Sequence, residues 1–253
     1  MTVRLFRAAA PLLALVLAAC AAAPQAQAPA AVASPAPLVG LTPAERWQAA
    51  IQDAAVPTDA KRANDLIALL PATPGLSWRN QNTEVKMVAW MSQATYDNYY
   101  SGDPNKTTPP GSPVVWVTAA PQVQQFCQNL PQQGRSQRIK EHLGLSIDRA
   151  YDVFVEMWVP VAGLIRPCPD QEVTDTSCDV GPGPTVTDAP WWANLYRTSY
   201  LVAGAPWTRL GYTYDWAEGV ASRKGASEFM IKPSTAYEIA GHYTTDVYCT
   251  AAQ

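Results

Sequence analysis

Five cysteines, two histidines and a heavy load of tryptophan and tyrosine are the features of this 253-residue sequence most able to do chemistry. Cys20 stands apart, inside an apolar N-terminal stretch. The other four, Cys127, Cys168, Cys178 and Cys249, make an even set, which in an exported chain predicts disulfides, with three pairings open to them. We expect Cys168 to join Cys178, clipping the loop at residues 169–177. Cys127 would then join Cys249 and tie the C-terminus to the middle of the chain. The rival use of these thiols is a metal site, but only His142 and His242 could assist, and neither has zinc-ligand spacing to a cysteine. No metal and no cofactor is expected. The chain has no Gly-x-Ser-x-Gly elbow, no phosphate-binding glycine loop and no His-Glu-x-x-His, so the common hydrolase and nucleotide motifs are missing. His142 falls on an amphipathic helix, and His242 follows Gly241 in an expected hairpin turn. Both positions suit surface or boundary residues better than catalytic bases.

Nine tryptophans and eleven tyrosines against four phenylalanines is a bias toward rings with a polar handle. Such rings suit surfaces that stack on carbohydrate or grip a protein. Trp191, Trp192 and Trp207 are the candidate contacts, the first two as neighbours that read as exposed. The competing reading places the rings at the boundary of a sheet protein. Leu210, Tyr212, Tyr214 and Trp216 fall on one strand face by period-2 alternation, and a stripe of that kind reads as core.

Three blocks are loosely similar to the arginine, serine and glutamate blocks of ADP-ribosyltransferases: Tyr196-Arg197-Thr198-Ser199, the Gly-Tyr-Thr run at Gly211, Tyr212 and Thr213, and Glu228-Phe229-Met230-Ile231. The resemblance implies that Arg197 grips dinucleotide phosphates, that Tyr212 belongs to the strand supporting the nicotinamide pocket, and that Glu228 stabilises an oxocarbenium-like sugar. Here Thr213-Tyr214-Asp215 replaces the Ser-Thr-Ser triplet, and Ser227 stands where a second acid or glutamine is often found. Read from the residues alone, Arg197 is a helix-surface charge and Glu228 a charge at a strand edge. Separately, residues 114–249 resemble a group of exported bacterial proteins with the same order of blocks, among them Phe154-Val155-Glu156-Met157-Trp158-Val159 and Pro206-Trp207-Thr208-Arg209-Leu210. That likeness implies a shared fold and export, and no reaction.

The elements that must position these residues follow from periodicity. Thr42-Pro43-Ala44-Glu45 is a capping box with proline at the first helical position, and Trp47, Ala50, Ile51 and Ala54 continue at helical spacing. A second helix is expected over residues 58–70, with Ala63, Leu66, Ile67 and Leu70 on one face. Val85, Met87, Ala89 and Met91 alternate as a strand, and residues 96–113 read as an exposed loop. Residues 114–117 form a short strand buried on both faces. Helices follow from Pro121 to Leu130 and near residues 136–143. The clearest strand carries Tyr151, Val153, Val155, Met157 and Val159. An irregular segment at 166–190 precedes a helix running to about Val202. Strands are then expected at residues 209–216, 228–232, 236–239 and 243–249. Early helices and late strands make the class α+β, with a mainly antiparallel sheet, flanking helices and a disulfide-stapled loop.

Arg4 and Arg7 precede an Ala/Leu-rich run too short to span a bilayer comfortably, the n-region and h-region of an export signal. The run ends in Leu17-Ala18-Ala19-Cys20, which resembles the lipobox of bacterial lipoproteins. The resemblance implies cleavage before Cys20 and acylation of its thiol. The expected organisation is a signal peptide at 1–19, an Ala/Pro-rich tether at 20–40, and a single α+β domain at 41–253 with a helical subregion at 41–80. Ala21 rather than aspartate after the cysteine favours the outer membrane. Loss of Arg4 and Arg7 takes the formal charge from −3 to −5. A mildly acidic chain without a basic run is a poor partner for nucleic acid. The expected partners are a lipid bilayer, through acylated Cys20, and an envelope protein or glycan.

Overall fold

The computed structural model describes residues 38–111, 115–184, 189–201 and 203–251. The expected export signal, Cys20 and most of the expected tether lie outside the described residues. Six α-helices are described: α1 (Pro43–Ala54), α2 (Gln93–Tyr99), α3 (Gln122–Gln128), α4 (Arg135–His142), α5 (Pro190–Ser199) and α6 (Thr245–Thr250). Nine strands accompany them: β1 (Trp78–Arg79), β2 (Glu84–Met91), β3 (Asn105–Thr107), β4 (Val115–Ala119), β5 (Val153–Pro160), β6 (Leu164–Ile165), β7 (Tyr212–Tyr214), β8 (Lys224–Ile231) and β9 (Ala236–Thr244). The class is α+β. The strand order is β3-β9-β5-β2-β4-β8-β6, with β1 paired to β2 and β7 to β8, and each described pairing is antiparallel. None of the described helices is long and apolar enough to cross a membrane.

Helix α1 begins as its capping box requires, with Thr42 and Glu45 bonding each other's backbone N–H. Its inner face buries Trp47, Ala50, Ile51 and Ala54 against Tyr214 and Trp216. The folded domain begins before residue 41. Leu38 is buried in this same cluster and the Gly40 N–H donates to Glu218 Oε1, so apolar burial pulls these residues into the domain.

No helix forms over residues 58–70; only a 3₁₀ turn at Asp59–Lys61 does. Beyond it the chain is extended, and Leu66 and Leu69 donate their N–H groups to Thr176 and Val173 of the disulfide loop. Leu66 packs on Cys168 and Cys178, whereas Leu69 enters the main sheet core and Leu70 is exposed. An extended path reaches both neighbours, so it displaces the helix that the spacing suggests.

Three further expectations are corrected. Residues 96–113 are not all loop: α2, capped by the Ser92 side chain, runs to Tyr99, and β3 pairs with β9. Residues 209–216 pair only at Tyr212–Tyr214, because Arg209 (φ 56°) and Gly211 (φ 74°) take left-handed backbone that ends the extended run. The final strands at 236–239 and 243–249 are one bulged strand, β9, followed by α6, whose Val247 N–H is met by the Thr244 side chain. His242 therefore lies in β9 opposite Val155, not in a turn.

Alternation divides the sheet into two faces. Val85, Met87, Val117, Val155, Met157, Phe229 and Ile231 form one core with Leu69 and Val173. On the other face Val88, Trp90, Phe154 and Ala226 pack beneath α3, α4 and α6, through Val123, Cys127, Ile139 and Tyr248. The disulfide Cys127–Cys249 joins α3 to α6 within this layer, and Cys168–Cys178 closes the irregular loop. Both pairings are the expected ones.

Candidate functional site

The second face of the sheet carries a row of four register-aligned positions, Glu228 on β8, Thr118 on β4, Val88 on β2 and Glu156 on β5. Ser227 and Phe229 turn to the opposite face: the Ser227 hydroxyl accepts from the Ile67 N–H, and Phe229 enters the other core. Alternation therefore aims Glu228 at the helical layer. There it lines a cavity of about 100 Å³ that opens to solvent. Val88, Trp90, Trp116, Thr118 and Phe154 supply the sheet side of the cavity. Val123, Leu143, Leu145 and Thr213 close it from α3, the chain after α4, and β7.

Glycine makes this closure feasible. A Cβ on Gly225 would lie 2.2 Å from the His142 carbonyl oxygen and 2.3 Å from Thr213 Oγ1. Only a bare backbone lets β8 approach the end of α4 so closely.

The polar groups in the cavity differ in their satisfaction. Thr213 is committed: its hydroxyl donates to the His142 carbonyl (2.7 Å) and accepts from the Ala226 N–H (2.9 Å). Among the described residues neither the Glu228 carboxyl nor the Thr118 hydroxyl has a hydrogen-bond or ion-pair partner. Burial pushes the Glu228 carboxyl up to about 8. A carboxyl with that value is a proton donor at neutral pH. Trp90 is stacked between Tyr151 and Phe154 (centroids 5.2 and 5.3 Å), and Phe154 stacks in turn on Tyr248 (4.2 Å). Trp116, the third ring in the lining, meets Trp207 edge to face at 6.4 Å.

A second polar cluster sits behind Leu143. Asp215, only 3 % exposed, receives both terminal nitrogens of Arg138 (2.7 and 3.1 Å), His142 Nδ1 (3.1 Å) and the Ala217 N–H (3.1 Å). Burial pushes Asp215 up, but the hydrogen bonds and charges of His142 and Arg138 outweigh it and hold the carboxyl below its ordinary value. His142 also stacks on Phe126 at 3.7 Å. Its imidazole is oriented by a carboxylate, as a general base would be, yet no hydroxyl or thiol among the described residues is hydrogen-bonded to it. The cluster joins α4 to the segment after β7.

The other residues singled out from sequence fall elsewhere. Arg197 is exposed on α5, its guanidinium bonding Asn194 Oδ1 one turn back, and it is not among the residues lining the Glu228 cavity. Tyr212 donates its hydroxyl to the Lys61 carbonyl (2.7 Å), and burial pushes that hydroxyl up to about 12. It is a strut between β7 and the 3₁₀ turn. Trp192 and Trp207 are corrected from surface contacts to core: each is 4 % exposed, and their rings meet at 4.7 Å. Trp207 Nε1 donates to the Pro167 carbonyl. Trp191 is half-buried against Trp192. The reason is helical phase: α5 turns Trp192 and Ser199 inward, and Gly183 lies under the Trp192 ring where a Cβ would come within 2.3 Å. Ligand atoms of Cys168, Asp170 and Cys178 lie within 4.8 Å of one another, but the two sulfurs are spent on their disulfide.

Sequence reading reached Glu228 through a resemblance and missed Thr118, Asp215 and Arg138. The available signals were an acid leading an apolar strand, Glu228-Phe229-Met230-Ile231, and an acid between two rings, Tyr214-Asp215-Trp216. No family model matches the chain, and no curated protein or solved structure matches it significantly.

Proposed function

We propose that this chain is a lipid-anchored protein of the bacterial cell envelope, held to the outer membrane through acylated Cys20, whose folded domain is a binding module that seats part of its partner in the Glu228 cavity. The observation that carries this reading is the cavity: an opening of about 100 Å³ with apolar walls and a single carboxyl left without a partner. Glu228 is half-buried at the mouth of this opening, and a carboxyl with no protein partner is free to bond an entering group. A protein side chain suits the site better than a sugar ring. Sugar hydroxyls need several polar partners, whereas this lining offers only Glu228, Thr118 and the already committed Thr213.

The alternative, an enzyme cleaving a nucleotide or glycosidic bond with Arg197 and Glu228, needs both side chains at one ligand. Acid-base cleavage of a glycoside needs a second carboxyl beside the first. The lining supplies Glu228 alone, so binding is the favoured reading.

Two measurements test it. Mass spectrometry should find a diacylglyceryl group on Cys20, and Cys20→Ser should move the protein from the membrane fraction to the soluble one. Methyl-resolved NMR with a library of small apolar fragments should shift Val88, Val123, Leu143 and Leu145 together. An unmodified N-terminus removes the anchor, and no fragment at these methyls removes the binding site.

A further inference from the structure

The chemistry of the group that enters the cavity can be read from its two unpartnered side chains, an inference that rests on the binding reading above. Thr118 and Glu228 are directly opposed across β4 and β8, so their Cβ atoms are neighbours and their polar ends share one patch in an otherwise apolar hollow. We propose that this pair binds the primary carboxamide end of an uncharged, apolar-stemmed ligand. The carboxyl O–H donates to the amide oxygen, its carbonyl oxygen accepts one amide N–H, and the Thr118 hydroxyl oxygen accepts the other. No proton is transferred, and each unpartnered polar group gains a partner.

Three observations favour a neutral amide over an organic cation. Of the three rings that line the cavity, Trp90 and Phe154 are already stacked on other rings, which restricts cation–π attraction to Trp116. No second carboxyl lines the cavity to share a positive charge. Glu228 itself, pushed up to about 8 by burial, is mainly a neutral donor at pH 7. The ionisable groups around it are Tyr200, which Glu228 helps to keep protonated and which bonds Arg209; His142 with Asp215 behind Leu143; and Glu156 with Lys86 at the far end of the register row. None of these lines the cavity.

The test is a binding series on the folded, mature protein by methyl NMR, with butanamide, butylamine and cyclopentane as probes. Butanamide should bind at least ten-fold more tightly than the other two at pH 6.5. Its affinity should then fall roughly thirty-fold by pH 9.5, as a site with a pKa of about 8 loses its proton. Glu228→Gln, which keeps a donor and an acceptor, should retain binding and lose the pH dependence. Glu228→Met should reduce butanamide to the level of cyclopentane. Butylamine binding more tightly, and tightening as pH rises, overturns the amide and assigns a cation. Cyclopentane matching butanamide overturns the polar recognition while leaving a binding cavity. If no probe shifts the cavity methyls, the binding reading and this inference fall together. N-acetylglutamine N-methylamide, run beside butanamide, separates a partner's side chain from a free small amide.

Discussion

Cys127 on α3 and Cys249 on α6 are bonded across 122 positions of sequence, whereas Cys168 and Cys178 are only 10 apart. A cross-link stabilises chiefly by restricting the unfolded chain, and more for a longer loop. Replacing Cys127 and Cys249 by alanine should therefore cost about 5 kcal/mol, against about 3 kcal/mol for the Cys168/Cys178 pair. Urea unfolding of the two double variants checks the order. A larger loss from the short loop would show that ordering of residues 168–178, and not chain entropy, dominates.

Asp215 should govern acid stability. Its carboxyl is held below the ordinary value in the fold, so it stabilises at pH values above the unfolded carboxylate value and loses that contribution as pH falls through its folded value. Asp215→Asn leaves Arg138 and His142 facing a neutral group and should cost roughly 3 kcal/mol at pH 7. The two proteins should converge as pH falls through the folded value of Asp215, since protonated Asp215 no longer differs in charge from asparagine. Denaturant titrations from pH 3 to 7 read both effects, and a pH-independent difference would refute the role.

Much of this fold can be read where one physical signal dominates. The Thr42/Glu45 box starts α1, the alternation of Val153, Val155, Met157 and Val159 makes β5, and the even cysteine set is paired as its spacing suggests. The reading fails where residues of helical spacing serve two different neighbours, as Leu66 and Leu69 do, because an extended chain satisfies both contacts as well as two backbone hydrogen bonds. It also fails at the site. Thr118 meets Glu228 only through the β4–β8 register, and nothing local to either residue encodes that pairing. Trp192 is illegible for a related reason: two adjacent tryptophans on a helix point in different directions, and which one is inward depends on what lies beneath.

Trp192→Ala should behave as a core truncation, costing about 3–5 kcal/mol, since the ring fills the space between Trp207 and Gly183. Half-buried Trp191→Ala should cost less than half as much. Chemical denaturation with near-ultraviolet circular dichroism measures both. Equal small losses would mean that the Trp192 ring is not packed as described.

Glu228 should leave a mark on stability even without a ligand. Its folded value of about 8 lies above the ordinary glutamate value of 4.5, so between those two pH values the folded protein keeps a proton that the unfolded chain gives up. Stability must then fall as pH rises from about 4.5 to 8, because the unfolded state binds fewer protons across that window. The loss should amount to a few kcal/mol, tempered by the opening of the cavity to solvent. Glu228→Gln removes the titration and should flatten this part of the profile, making the variant the more stable of the two at pH 8. Urea midpoints of both proteins at half-unit steps from pH 4 to 9 decide the matter: parallel profiles would mean that Glu228 is ionised in the fold at neutral pH, which would also remove the proton-donor role on which its pairing with an amide depends.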